Sequence, residues 1–73
     1  MTRIDFLNLT DEQWKALIGK QLHVVTKETE KDFQVGTYEE TPYANDAYHV
    51  THIVGTNSER YSLDLIKELY ILE

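Results

Sequence analysis

Three histidines are the first residues whose side chains could bind a metal ion or move a proton: His23, His49 and His52. His49 and His52 are three positions apart, a spacing that puts two side chains on opposite faces of a strand and suits a metal pair only on a helix. The chain has no Cys, so a zinc site would also need carboxylates from distant residues. We therefore predict no metal site, and we expect a strand surface with one half-buried histidine.

Acid–base and nucleophilic catalysis need groups that the sequence does not bring together. Glu39 and Glu40 are adjacent and would point to opposite faces of a strand, although Asp46 in the next turn could approach either one. Ser58 and Ser62 lack the flanking glycines of a nucleophile elbow, and the three glycines are too scattered for a phosphate-binding loop. These patterns predict a protein that is not an enzyme and that uses no cofactor.

The tyrosines are more informative, because five of them are many for a chain of 73 residues. Three tyrosines border an acidic segment, and tyrosine is enriched in protein interfaces because its ring is apolar and its hydroxyl is polar. The pattern predicts a contact surface for another protein. The residues predicted for this surface are Tyr38, Glu39, Glu40, Tyr43 and Asp46.

An alternative interpretation gives the same segment no binding role. Tyr38 and Tyr48 would then form a cross-strand pair, and Tyr43 alone would be exposed. The acidic residues would serve only to keep a small domain in solution. The sequence leaves both interpretations open.

The distribution of charge separates the candidate partners. The formal net charge is −6, and residues 28–46 carry six acidic residues against one basic residue. Such a segment repels phosphate backbones and suits a basic protein. We therefore expect a protein-interaction module, such as a regulator or inhibitor of a basic or nucleic-acid-binding protein, and we do not expect nucleic-acid binding itself. That alternative would require five basic residues to converge on one face: Lys15, Lys20, Lys27, Lys31 and Arg60.

A short helix is predicted ahead of these residues, at about 10–18. Thr10 and Gln13 have the spacing of a capping box, in which Thr10 is the N-cap. Gly19 is placed to end the helix. A helix of this length is unstable alone, so it must pack through its apolar face, which consists of Trp14, Leu17 and Ile18.

Alternation of apolar and polar residues predicts five strands after the helix, at residues 21–27, 33–40, 47–54, 59–63 and 69–72. Gly36 inside the second strand predicts a bulge or a bend. Tyr48, Val50 and Val54 are expected on one face of the third strand. Residues 64–68 predict a helical or 3₁₀ turn. Residues 63–70 also fit a C-terminal helix, but the β-favouring residues 70–72 favour strand, turn, strand.

Short curved strands joined by tight loops usually close into a barrel or form a strongly bent sheet. The sequence therefore predicts one domain over residues 1–73 that is mainly β. It has one N-terminal helix, followed at about 21–72 by a small five-stranded antiparallel barrel.

Element order carries a resemblance to the SH3-like and Sm-like small barrels. It rests on a helix leading into "LIGKQLHVV", a bent strand at "FQVGTYEE" and the terminal "YSLDLIKELYIL". The terminal segment is also similar to the last strands of the Rho-binding antiterminators, which are acidic, Sm-like and act on a protein. Sm-like RNA binders carry a glycine-containing motif after their fourth strand, and the corresponding residues 60–62 lack that glycine. The resemblance implies the barrel fold and leaves open a homo-oligomer formed through edge strands.

The cellular location is predicted from the length of the apolar runs in the sequence. The longest runs are two or three residues, whereas a transmembrane helix needs about 20, and no apolar segment follows Met1. We therefore expect a cytoplasmic protein with no membrane contact.

Overall fold

The computed structural model describes residues 1–42 and 48–73. These residues form six strands, one α-helix and one 3₁₀ turn, so the prediction of a mainly β chain with one N-terminal helix is confirmed. In chain order the elements are β1 (Thr2–Arg3), α1 (Asp11–Leu17), β2 (Gln21–Thr26), β3 (Glu30–Pro42), β4 (Tyr48–Gly55), β5 (Arg60–Ser62), the 3₁₀ turn (Leu63–Leu65) and β6 (Ile66–Ile71). No helix in the described ranges is long and apolar enough to cross a membrane.

The strands form one antiparallel sheet in the order β1-β6-β2-β3-β4-β5. This is six strands where the sequence predicts five, because β1 has only two residues and shows no alternating pattern. Among the described residues the sheet is open, with β1 and β5 at its two edges. The described strand pairing therefore does not show the closed five-stranded barrel that the sequence predicts.

Strand β3 is irregular at Gly36 and pairs with different strands on the two sides of this residue. Its first half (residues 30–34) pairs with β2, and its second half (residues 37–42) pairs with β4. The register shifts between Val35 and Thr37, so the predicted irregularity at Gly36 is confirmed. A Cβ atom at Gly36 would lie 3.3 Å from the backbone nitrogen of Thr56, which explains why glycine suits this close approach.

The helix begins as predicted but buries fewer residues. The Thr10 hydroxyl accepts from the Gln13 backbone N–H, and the Gln13 side chain accepts from the Thr10 N–H, which completes the capping box. Trp14 and Leu17 are buried, whereas Ile18 is 45 % exposed, so its predicted burial is wrong. Ile18 is the C-cap at the end of the helix, and the helical residues that pack in the core are Trp14 and Leu17. Gly19 follows with φ +87°, as expected for the residue that ends a helix.

A bulge in β4 changes the predicted face of one residue. Glu39 pairs with His52 and Glu40 pairs with Val50, so Thr51 is an extra residue on β4. Val50 stays on the core side, but Val54 falls on the opposite side from Ile53, which is buried. The predicted common face of Tyr48, Val50 and Val54 is therefore wrong at Val54.

The C-terminal segment is strand, 3₁₀ turn and strand, so this prediction is confirmed and the alternative helix is wrong. Strand β6 lies between β1 and β2 and contributes Ile66 and Leu69 to the core. The remaining buried apolar residues are Ile4, Trp14, Leu17, Leu22, Val24, Phe33, Val35, Val50, Ile53 and Tyr61.

Candidate functional site

The predicted contact surface lies on the second half of β3. Tyr38, Glu39 and Glu40 are in this half, where β3 pairs with β4. Tyr43 and Asp46 lie outside the described residues. The structure therefore places three of the five predicted residues.

Tyr38 joins this half of β3 to the helix. Its ring centroid is 6.1 Å from that of Trp14, with an interplanar angle of 39°. Tyr38 is half-buried and pairs with Ile53 rather than with Tyr48, which pairs with Pro42. The alternative prediction of a Tyr38–Tyr48 pair is therefore wrong, because the register of β3 and β4 places these two residues four β3 positions apart.

Two carboxylates, those of Glu40 and Asp11, affect the pKa of Tyr38. Burial raises the pKa of Tyr38 above its usual value, and the negative charges of Glu40 and Asp11 raise the pKa further. Glu40 is on the same side of β3 as Tyr38, because the two residues are two apart in a strand. Both Glu40 and Asp11 are exposed, and neither forms an ion pair with any residue in the described ranges. Tyr38 thus lies beside negative charge that has no positive partner within the described chain.

Glu39 lies on the opposite side of β3 and has different surroundings. Its Oε1 atom accepts from the Arg60 guanidinium at 2.5 Å and 3.1 Å, and it lies 3.4 Å from Nδ1 of His52. The expectation that Glu39 and Glu40 point apart is confirmed. The structure therefore divides the predicted surface, since Glu39 is engaged within the protein while Tyr38 and Glu40 face the helix side.

A groove adjoins Tyr38 on the helix side, and we call it the helix groove. It has a volume of about 290 Å³ and lies between the segment before the helix, Trp14, and the start of β4. Its two carboxylates come from Asp11 and from Asp64 in the 3₁₀ turn. Its apolar and aromatic walls are Phe6, Leu7, Leu9, Trp14, Tyr48, Val50 and Leu63, and His49 also lines it.

The sequence does not predict that the groove residues come together. Asp11 and Asp64 are far apart in sequence, and no local motif indicates that they meet at one groove. Leu7, in the turn before the helix, is 75 % exposed although it is apolar. The groove is therefore a feature that is visible only in the folded structure.

Two clusters of charged residues outside this region pair internally. His23 Nδ1 lies 2.6 Å from Asp32 and its Nε2 lies 3.1 Å from Glu30. Hydrogen bonds to Asp32 and then to Glu30 raise the pKa of His23 above its usual value, because both carboxylates favour the protonated ring. No group of three or more potential ligand side chains in the described ranges could hold a metal ion.

A second internal cluster joins β3, β5 and the turn before β5. Lys31 Nζ donates to Glu59 at 3.0 Å, and the Tyr61 hydroxyl donates to the same carboxylate. Burial, followed by the Glu59 hydrogen bond, raises the pKa of Tyr61 to about 12. The Tyr61 ring packs on Phe33 with centroids 4.7 Å apart, so this cluster stabilises the first half of β3.

Comparisons with protein-family models, with curated proteins and with solved structures found no match to this chain.

Proposed function

We propose that this protein is a non-enzymatic interaction module that binds a basic protein through the second half of β3 and the loop that follows it. The contact residues would be Tyr38, Glu40 and Glu39, together with Tyr43 and Asp46 from the sequence prediction. A partner that itself binds nucleic acid would have the required basic surface, so the module would act as its regulator or inhibitor.

One observation carries this proposal: Glu40 and Asp11 lie beside the half-buried ring of Tyr38 without a positive partner among the described residues. Both carboxylates are exposed, and both raise the pKa of Tyr38. A lysine or arginine of a partner would neutralise them and cover the aromatic ring. Tyrosine and a desolvated charge pair are typical of the energetic centre of an interface.

The nucleic-acid alternative has less support. Of the five basic residues that it needs, Lys31 is paired with Glu59 and Arg60 is paired with Glu39. Phosphate contacts would have to compete with these carboxylates, which weakens a binding mode that depends on counterion release.

The SH3-like or Sm-like relationship is part of the same proposal. The order β6-β2-β3-β4-β5 and the 3₁₀ turn before β6 support it, with β1 as an addition at the edge. The irregularity at Gly36 would let β3 belong to both sides of a small barrel.

The test is affinity capture from a bacterial lysate at low and at high salt, with the captured proteins identified by mass spectrometry. We expect a basic protein that is retained at low salt, lost with the Glu40→Lys variant and kept with the Glu28→Lys variant. Glu28 is a matched control, because it is exposed and forms no ion pair with a described residue. Capture of the same proteins by both variants, or of none by the unaltered protein, would contradict the proposal.

A further inference from the structure

The helix groove differs in charge from the other surface grooves of the described chain. One of these, near β5, is lined by Lys27, Glu28 and Arg60, and another, beside β6, is lined by Arg3, Asp5 and Lys67. Both therefore mix basic and acidic side chains. The helix groove is lined by two carboxylates, Asp11 and Asp64, and by no Lys or Arg among the described residues. This groove alone among the three has a rim of one sign.

The carboxylates at this groove are available to a partner. Asp11 and Asp64 are exposed, and neither forms an ion pair within the described ranges. Glu40 lies close to the same place, because it and Asp11 both act on Tyr38, whose ring contacts the groove wall at Trp14. Two carboxylates thus line a small apolar depression, and Glu40 lies near the adjoining ring of Tyr38.

The walls of the groove suit one apolar side chain. Trp14 and Val50 are buried at its floor, and Leu7 and Tyr48 are 75 % and 56 % exposed at its sides. A volume of about 290 Å³ is near the lower limit of ligand sites, which is enough for a single leucine- or phenylalanine-sized group and too small for most cofactors. The exposed walls leave apolar area that a ligand would remove from water.

We propose that the helix groove takes one large apolar side chain from a basic segment of another protein, with lysine or arginine residues on either side of that side chain. This inference rests on the proposed function and adds the feature that would select the partner. The basic residues would meet Asp11, Asp64 and Glu40, while the apolar side chain would lie between Leu7, Trp14 and Tyr48.

The experiment is a nuclear magnetic resonance titration of the ¹⁵N-labelled protein at pH 7.5 with three five-residue peptides, acetylated and amidated at their ends. The first has a leucine between two pairs of lysines, the second has alanine in place of leucine, and the third has glutamates in place of the lysines. We expect the first peptide to shift amide signals of Leu7, Trp14, Val50 and Leu63. The alanine peptide should bind about tenfold more weakly, because most of the buried apolar group is absent.

Two pairs of variants make the test specific. Leu7→Ser should weaken binding of the leucine peptide about threefold or more, whereas Leu65→Ser should not, although Leu65 is similarly exposed at 68 %. Asp64→Asn should weaken binding about twofold to fivefold at low salt, as for an exposed charge pair, and Glu28→Gln should leave it unchanged. Each substitution is at an exposed position, so the variants are expected to fold.

The outcomes separate this inference from the proposed function. The leucine and alanine peptides could bind equally, with binding lost in Glu40→Lys but not in Leu7→Ser. This result would contradict binding in the helix groove and would still support the proposed function. Equal binding of the lysine and glutamate peptides in the groove would contradict a basic partner, both for this inference and for the proposed function. Concentration-dependent shifts of the groove residues without any peptide would instead identify a second copy of this chain as the occupant and would also overturn the inference.

Discussion

The two halves of β3 use similar residues in different ways. In the first half, Glu30 and Asp32 hold the ring of His23, and Phe33 packs in the core against Tyr61. In the second half, Tyr38 is half-buried and Glu40 has no positive partner among the described residues. A carboxylate that is balanced inside the fold stabilises it, whereas one left unbalanced beside an aromatic ring is free to meet another molecule. Acidic residues in one continuous strand therefore need not share one role.

The largest expected difference between the halves is in stability. Phe33→Ala should lower the free energy of unfolding by about 3–5 kcal/mol, as for other buried aromatic residues. Tyr38→Ala should cost less than half as much, because part of the Tyr38 side chain is exposed in the native protein. A core of this size supplies only about 3–5 kcal/mol in all, so Phe33→Leu provides a graded variant that stays folded. Urea unfolding followed by circular dichroism measures Tyr38→Ala and Phe33→Leu, and we expect Phe33→Ala to be largely unfolded without urea. A Tyr38→Ala protein that is equally unfolded would remove the distinction.

Gly36, which separates the halves, is the next position to test. In Gly36→Ala the new methyl group would lie 3.3 Å from the Thr56 nitrogen and 3.4 Å from Gly55 backbone atoms, which cannot move as a side chain can. We expect a loss of about 1–3 kcal/mol, as for other overpacked sites. Thr37→Ala at the exposed neighbour is the control and should change stability by less than about 0.5 kcal/mol. A Gly36→Ala protein as stable as the control would mean that the irregularity does not need glycine.

The pH dependence of the free energy of unfolding should reflect the contacts of His23 with the first half of β3. The pKa of His23 is raised in the folded protein by Asp32 and Glu30, so the protonated ring stabilises the fold. This contribution is fully present below the unfolded pKa of about 6.5 and is lost as the pH rises through the higher folded pKa. We expect the free energy of unfolding to fall over that range in the unaltered protein and to fall less in His23→Gln.

The assignment to His23 has an internal check. Asp32→Asn should lower the pKa of His23 more than Glu30→Gln does, because the Asp32 hydrogen bond is the larger cause of the shift. Proton resonances of the His23 ring give this pKa directly. The reverse order would mean that Glu30 holds the ring more strongly.

The smallest expected effect is a shift in one tyrosine of the second half. Glu40→Gln should lower the pKa of Tyr38, because it removes a negative charge on the same side of the strand. Glu39→Gln should leave that pKa nearly unchanged, since Glu39 lies on the other side with Arg60. A titration with ¹³C-labelled tyrosine resolves Tyr38 from the other tyrosines. Equal shifts from both variants would contradict the division of the predicted surface.

Local features of this fold were predictable from the sequence. The capping box joins Thr10 and Gln13, three residues apart, and alternation with a period of two indicates β2 to β4 within a few residues of their observed ends. The irregularity at Gly36 follows from the scarcity of glycine inside strands. Each of these signals lies within one short window of the chain.

The rest depends on contacts between distant residues, which no window contains. The pairing of Glu39 with Arg60 joins positions 21 apart, and it decides that Glu39 is engaged. The bulge at Thr51 is set by the register between two strands, and it turns Val54 away from the core. The meeting of Asp11 and Asp64 at one groove follows only from the folded chain.

The position of β6 between β1 and β2 has a consequence for how the molecule forms. The strand nearest the C-terminus is a partner of both strands nearest the N-terminus, with Thr2 opposite Ile71 and Leu22 opposite the same residue. During synthesis β2 must therefore wait for about 40 further residues, which takes about 2–8 s at the usual rate of translation. Until then its apolar residues Leu22 and Val24 have only β3 beside them, and folding of the whole sheet is delayed until β6 has been synthesised. Such long-range pairing also predicts slower folding than in a helical protein of equal length.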